Sequence, residues 1–167
     1  MKGIGIASAV VVSFLVFQGI AKAGEGWMTD FKAALEESAK RGVPILADFS
    51  GSDWCGWCIK LDKEVFQETA FKKFAAESFV LFLADFPRSK SQTAAEKSQN
   101  QELARKYEIQ GFPTVLVLDQ DGKVLKRTGY QRGGAAAYIE HLKEALPAKS
   151  KPEAPSALPG SAPGKTM

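Results

Sequence analysis

Cys55 and Cys58 are the only cysteines in the chain, and they stand close together in Trp54-Cys55-Gly56-Trp57-Cys58. The spacing suits thiol–disulfide exchange. At the start of a helix, first-turn amides favour a thiolate on Cys55 and lower its pKa. Cys58, one turn further in, is then placed to attack a mixed disulfide on Cys55 and release the product. Cys55 becomes the exposed nucleophile and Cys58 the buried resolving thiol. Other uses of the pair fit less well. A metal site lacks ligands, because no third cysteine exists and His141 is the single histidine. A c-type haem site needs a histidine after the second cysteine, where the chain has Ile59. A purely structural disulfide stays open, although so short a loop would constrain the unfolded chain little.

The elements that must position this pair read as alternating helix and strand. Residues 28–41 place Phe31, Leu35 and Ala39 on one helical face, and Gly42 stops the helix. Residues 44–49 form a short apolar run, read as a buried strand with Asp48 inside it. Residues 50–53 break the strand, a helix is predicted from about Cys55 to Glu64 or beyond, and a second helical stretch follows over 68–76. Residues 79–85 are continuously apolar up to Asp85, the pattern of a strand covered on both faces. A polar stretch precedes a helix that begins near Thr93 and carries through Tyr107. Strands over 115–118 and 124–128 flank the turn residues Asp121-Gly122, and the last helix runs over about 134–146. The order α-β-α-β-α-β-β-α predicts an α/β domain, a central mixed sheet with helices on both faces. Phe66, Phe71 and Phe74 are core candidates, Arg132 reads as a solvated loop charge and His141 as structural or exposed.

At 167 residues, with 45% hydrophobic and 25% charged side chains, the chain is one globular domain with extensions. A net charge of +3 without a basic stripe argues against nucleic acid as a partner. Lys2, an apolar run over 4–17 and Ala21-Lys22-Ala23 read as a cleavable signal peptide over 1–23. The run is short for a membrane span, which needs about 20 apolar residues; a retained anchor is the plainer alternative to cleavage. Residues 147–167, rich in Pro, Ala, Ser, Gly and Lys, read as a disordered tail. The domain then occupies 24–146.

Residues 44–114 resemble the thioredoxin superfamily, and residues 51–61 resemble its exported bacterial thioredoxin-like branch. Two separated motifs carry the likeness: the Trp-Cys-Gly-x-Cys helix start, and Gly111-Phe112-Pro113-Thr114 further along. The resemblance implies a thioredoxin-like fold in which Pro113 is cis and packs beside the disulfide. It also implies that the Phe112 backbone pairs with an extended substrate segment, with Trp54 as a lid and substrate surface and Gly129 lining the same groove. Trp57, between the cysteines, joins that substrate-binding set. Asp48 matches the family's buried acid, whose poorly solvated carboxyl would have a raised pKa and pass a proton to or from Cys58. The plainer alternatives are a trans Pro113 opening a strand, Trp54 as a core aromatic and Asp48 as a loop cap. The chain departs from ordinary thioredoxin in three places. The stretch from Asp48 to Cys55 is one residue longer, Trp57 replaces the usual proline, and the strand around Leu83 supplies no lysine to Asp48. Its redox poise is therefore its own.

Together these readings predict an exported, periplasmic thiol–disulfide oxidoreductase, reductase-like and monomeric, that exchanges electrons with protein thiols and disulfides. Without a nicotinamide or flavin motif it needs no cofactor and must be recharged by a membrane electron-transfer partner or another redox protein. The alternative is a groove-based peptide-binding or chaperone-like module whose cysteines are redox-idle.

Overall fold

The computed structural model describes residues 26–146; the segments read as signal peptide and tail lie outside the described residues. The organising element is β2 (Ile45–Ser50), in which every residue is buried. On one side it pairs in parallel with β3 (Val80–Asp85), and on the other it pairs antiparallel with β4 (Thr114–Leu118). β4 turns back into β5 (Val124–Thr128) around Asp119, whose carboxylate accepts the amides of Asp121 and Lys123 at 3.0 and 2.8 Å. Gly122 supplies the positive φ, 76°, that this turn requires.

The sheet has five strands in the order β1-β3-β2-β4-β5, one more than the sequence pattern predicts. The added strand is β1 (Trp27–Met28), parallel to β3, and it corrects the expectation of a helix from residue 28. The helix waits for its cap: Asp30 is extended and its carboxylate accepts the Ala33 amide at 3.0 Å, so α1 spans Phe31–Arg41. Its buried face is Phe31, Ala34 and Ser38, whereas Ala39 is exposed. Successive four-residue steps each overshoot a turn by about 40°, which carries the predicted row Phe31, Leu35, Ala39 off the core.

α2 (Gly56–Leu61) follows the turn after β2 and runs into a π-helical turn (Asp62–Phe66), where a single continuous helix was predicted. α3 (Thr69–Ser78) leads into β3, α4 (Ala94–Lys106) connects β3 to β4, and α5 (Gly134–Lys143) closes the domain slightly short of the predicted end. α4 starts on a capping box in which Thr93 and Glu96 bond each other's amides.

Alternation along β2 divides the core into two layers. Ile45, Ala47 and Phe49 pack with Phe31, Ala34, Leu103 and Tyr107 of α1, α4 and its C-terminus. Leu46 packs on the other face with Leu61, Val65, Phe71, Tyr138 and Leu142. Asp48 and Ser50 share this second face by the same alternation. β3 is not sealed on both sides as its apolar run suggests. Leu81, Leu83 and Asp85 are half-buried, and at Leu83 and Asp85 this side of the strand borders a cleft.

The Asp30 cap gives a direct test of how α1 is started. Asp30→Ala is expected to lower stability by about 1 kcal/mol, read as a shift of the urea midpoint with an unchanged slope.

Candidate active site

Where β2 ends, the chain must turn sharply to start α2, and Gly51 permits it. Its carbonyl accepts the amides of Trp54 and Cys55 at 3.2 and 2.9 Å. Cys55 is the N-cap of α2, with extended backbone, and its Sγ accepts the Cys58 amide at 3.2 Å. The two sulfurs are bonded as a disulfide, with the Cα atoms 5.2 Å apart. Cys55 is 8% exposed and Cys58 3%, so both are buried. The predicted exposed nucleophile is thus more enclosed in the disulfide state, because a capping sulfur folds back over the first turn of its own helix.

Asp48 is 5% exposed, and its Oδ1 has no hydrogen-bond partner among the described residues. Its register partners are Leu83 in β3 and Val115 in β4, neither of which can neutralise it. Burial, reinforced by repulsion from Asp62 and Asp85, pushes the carboxyl up to about 8, with Ser50 pulling weakly the other way. Asp48 and Cys58 line one cleft of about 720 Å³, together with Asp62, Asp85 and Leu83. No group of three or more His, Cys, Asp or Glu among the described residues is placed to hold a metal ion.

Around the disulfide stand two aromatic rims. Trp54 is 36% exposed, which separates it from a core aromatic. Its Nε1 donates to the Phe86 carbonyl at 2.8 Å, Phe112 meets its ring edge-on at 5.9 Å, and the Arg88 guanidinium lies 3.9 Å above the ring. The ring packs so closely on Gly51 that a Cβ there would lie 2.5 Å from it. Trp57, 54% exposed, stacks against Tyr130 at 5.0 Å with Lys60 over both rings. Tyr130 in turn donates to Glu64 at 2.7 Å.

The Phe112–Pro113 peptide is cis, and Gly129 lies directly against it: a Cβ at Gly129 would sit 2.9 Å from the Pro113 carbonyl oxygen. Phe112 therefore links the Trp54 rim to Pro113 and Gly129. His141 is engaged elsewhere, with Nε2 2.7 Å from Gln131 and 3.0 Å from Thr128, and Arg132 is an exposed loop residue.

Several participants have no signature in the sequence. The Asp53 carboxylate accepts the amides of Arg88, Ser89 and Lys90 at 3.0, 2.7 and 3.2 Å, and these bonds hold it below the usual carboxylate range. Asp85 accepts the amide and hydroxyl of Ser52 at 2.9 and 2.6 Å. The polar stretch after β3 is thereby moored to the cysteine loop. The sequence shows only a polar stretch before Thr93, since a bond between residues 35 apart leaves no local pattern.

The fold agrees with comparisons to known proteins. Residues 31–145 match the thioredoxin-like domain, and the chain belongs to that family. It is 40% identical over 127 residues to the disulfide bond reductase DsbH of Chlamydia pneumoniae, a match covering 76% of each protein. The thioredoxin-related protein DsbJ of the same organism is 32% identical over 103 residues, covering 62% of this chain and 30% of that one. A solved structure of a DsbH oxidoreductase superposes with a TM-score of 0.69 at 35% identity, over 86% of this chain and 94% of that one.

Two substitutions test the geometry. A carboxyl whose folded pKa is raised binds a proton that the unfolded chain has already lost, so Asp48 destabilises the fold increasingly as pH rises from about 4 to 8. Asp48→Asn removes that slope. The disulfide form should gain on the order of 2–4 kcal/mol over the parent at pH 7 and nothing below pH 4, measured by urea melts across pH. Gly129→Ala should push the Pro113 carbonyl aside and cost about 1–3 kcal/mol in the same melts. Unchanged stability would mean that the two segments are not in contact.

Proposed function

We propose that this protein, a thiol–disulfide oxidoreductase of the thioredoxin-like family, works outside the cytoplasm and reduces disulfides in other proteins. The observation that carries the reading is the Cys55–Cys58 disulfide capping α2, with the carboxyl of Asp48 buried in the cleft that Cys58 lines. In the reduced protein, the Cys55 thiolate attacks a client disulfide. A bond forms between Cys55 Sγ and one client sulfur, and the other client sulfur leaves as thiolate. Cys58, deprotonated with Asp48 as acceptor, then attacks Cys55 Sγ and expels the remaining client sulfur. Two electrons pass to the client, and the Cys55–Cys58 disulfide is restored. A carboxyl near 8 exchanges its proton in either direction at working pH, which suits a cycle that must also run backwards during recharging.

Trp54, Trp57, Phe112, Pro113 and Gly129 provide the surface on which an extended client segment lies. The reducing direction is supported by the printed name of the DsbH relative, a disulfide bond reductase. Export is supported by the leader pattern over 1–23. Recharging requires an electron-donating redox protein, at the membrane or beside it, and the working unit is a monomer.

Trapping tests the mechanism. Cys58→Ala should accumulate mixed disulfides with clients through Cys55, visible on non-reducing gels, and Cys55→Ala should accumulate none. The direction is tested by the reduction potential of the pair in glutathione buffers. A value near about −270 mV fits a reductase, whereas one near about −120 mV would make the protein a disulfide donor.

A further inference from the structure

The two aromatic rims beside the disulfide differ in charge. At the Trp57 rim, Lys60 has its own counter-ion, with Glu64 3.8 Å away. At the Trp54 rim, Arg88 has none. Its guanidinium forms no ion pair and donates no side-chain hydrogen bond among the described residues. Asp53, which the fold brings to this loop, takes the backbone amide of Arg88 rather than its side chain and is occupied by two further amides.

The position of Arg88 is held from two sides. Asp53 anchors the backbone from residue 88 to 90, and Lys90 Nζ donates to Ser52 Oγ at 2.9 Å. The guanidinium carbon lies over the Trp54 indole, 3.9 Å from the ring centre. A guanidinium stacked by its face keeps its N–H edge available, and that edge matches a carboxylate in two parallel bonds. Because the loop is already anchored, little further ordering is needed when an anion arrives. Trp54 is itself part of the exposed rim next to Cys55, so an anion bound by Arg88 belongs to whatever crosses that rim.

We propose that Arg88 selects client segments that carry an aspartate or glutamate within a few residues of the exchanging cysteine, on the side of it that crosses Trp54. The inference rests on the oxidoreductase reading and adds the substrate class to it. Arg88 acts on binding and orientation; the sulfur chemistry stays with Cys55 and Cys58.

The test uses the full-length reduced protein and short peptides with one central cysteine, capped as a mixed disulfide with mercaptoethanol. Glutamates stand before the cysteine in one peptide and after it in another, each with a lysine counterpart. In every reaction the peptide–mercaptoethanol bond breaks and the Cys55–Cys58 bond forms. The protein dithiol supplies both electrons and both protons, and the peptide thiol and mercaptoethanol are released. On one flank, the glutamate peptide should be reduced about threefold to tenfold faster than its lysine counterpart at low salt. The advantage should shrink as salt screens it. Arg88→Gln should bring the ratio close to one, and Arg88→Glu should invert it. Each ratio is taken within one protein, so a partial loss of folded variant cancels. A ratio near one on both flanks in the parent protein overturns the proposal, as does a ratio that survives both substitutions. Hydroxyethyl disulfide separates this from the broader reading. If the parent reduces it but shows no peptide preference, only the role of Arg88 falls; if it reduces neither, the oxidoreductase reading falls first.

Discussion

β2 is a strand without a solvent-facing side, and what happens at its end depends on that enclosure. Strands flank it on both edges and helices cover both faces, so every side chain it carries must be accommodated in the interior. Five of its six residues meet that condition as apolar or small groups. Asp48 does not, and the surroundings offer it leucine and valine across the sheet and two further carboxylates in the cleft. An ionised carboxylate in such a place is costly, so the group keeps its proton far above the usual range. The same rigidity that makes the acid expensive also holds it still beneath the cysteine helix.

The disulfide itself occupies very little structure, and its surroundings are drawn from four separated stretches of chain. The turn after β2 supplies Trp54 and the sulfurs, the connection after β3 supplies Phe86 and Arg88, the segment before β4 supplies Phe112 and Pro113, and the exit from β5 supplies Gly129 and Tyr130. Each is tied to a neighbour by a specific contact rather than by general packing. The Trp54 ring packs on Gly51 and carries a guanidinium over it; the Trp57 ring lies against a tyrosine that is itself anchored on Glu64. Such ties suit a surface that must present two large exposed aromatics without letting them collapse onto each other.

Much of this is legible in the sequence. The apolar runs announced β2, β3 and β4, Asp121-Gly122 announced the hairpin, and the Trp-Cys-Gly-x-Cys and Gly-Phe-Pro-Thr motifs pointed to the site. What escaped was of two kinds. β1 is two residues long, too short to show a period, and it becomes a strand only because β3 offers it an open edge. The moorings of residues 86–90 escaped because they depend on carboxylates, Asp53 and Asp85, whose partners are brought close by the fold alone. In a sequence, Asp53 is one polar residue in a turn. In the structure, it sets where a whole connection lies.

The π-helical turn after α2 has a wider consequence. A helix of uniform pitch would lock the orientation of Cys58 to that of Val65 and Phe66, so repacking the core under one would rotate the other. The extra residue accommodated by the wider turn shifts the phase between them. Upstream, the helix carries Cys58 of the disulfide and already sets Leu61 in the hydrophobic layer; downstream, Val65 and Phe66 continue that layer while Glu64 accepts from Tyr130. The turn behaves as a coupling between two shafts set at different angles. A change of packing under Val65 or Phe66 therefore reaches Cys58 through a change of pitch rather than along one face of a uniform helix.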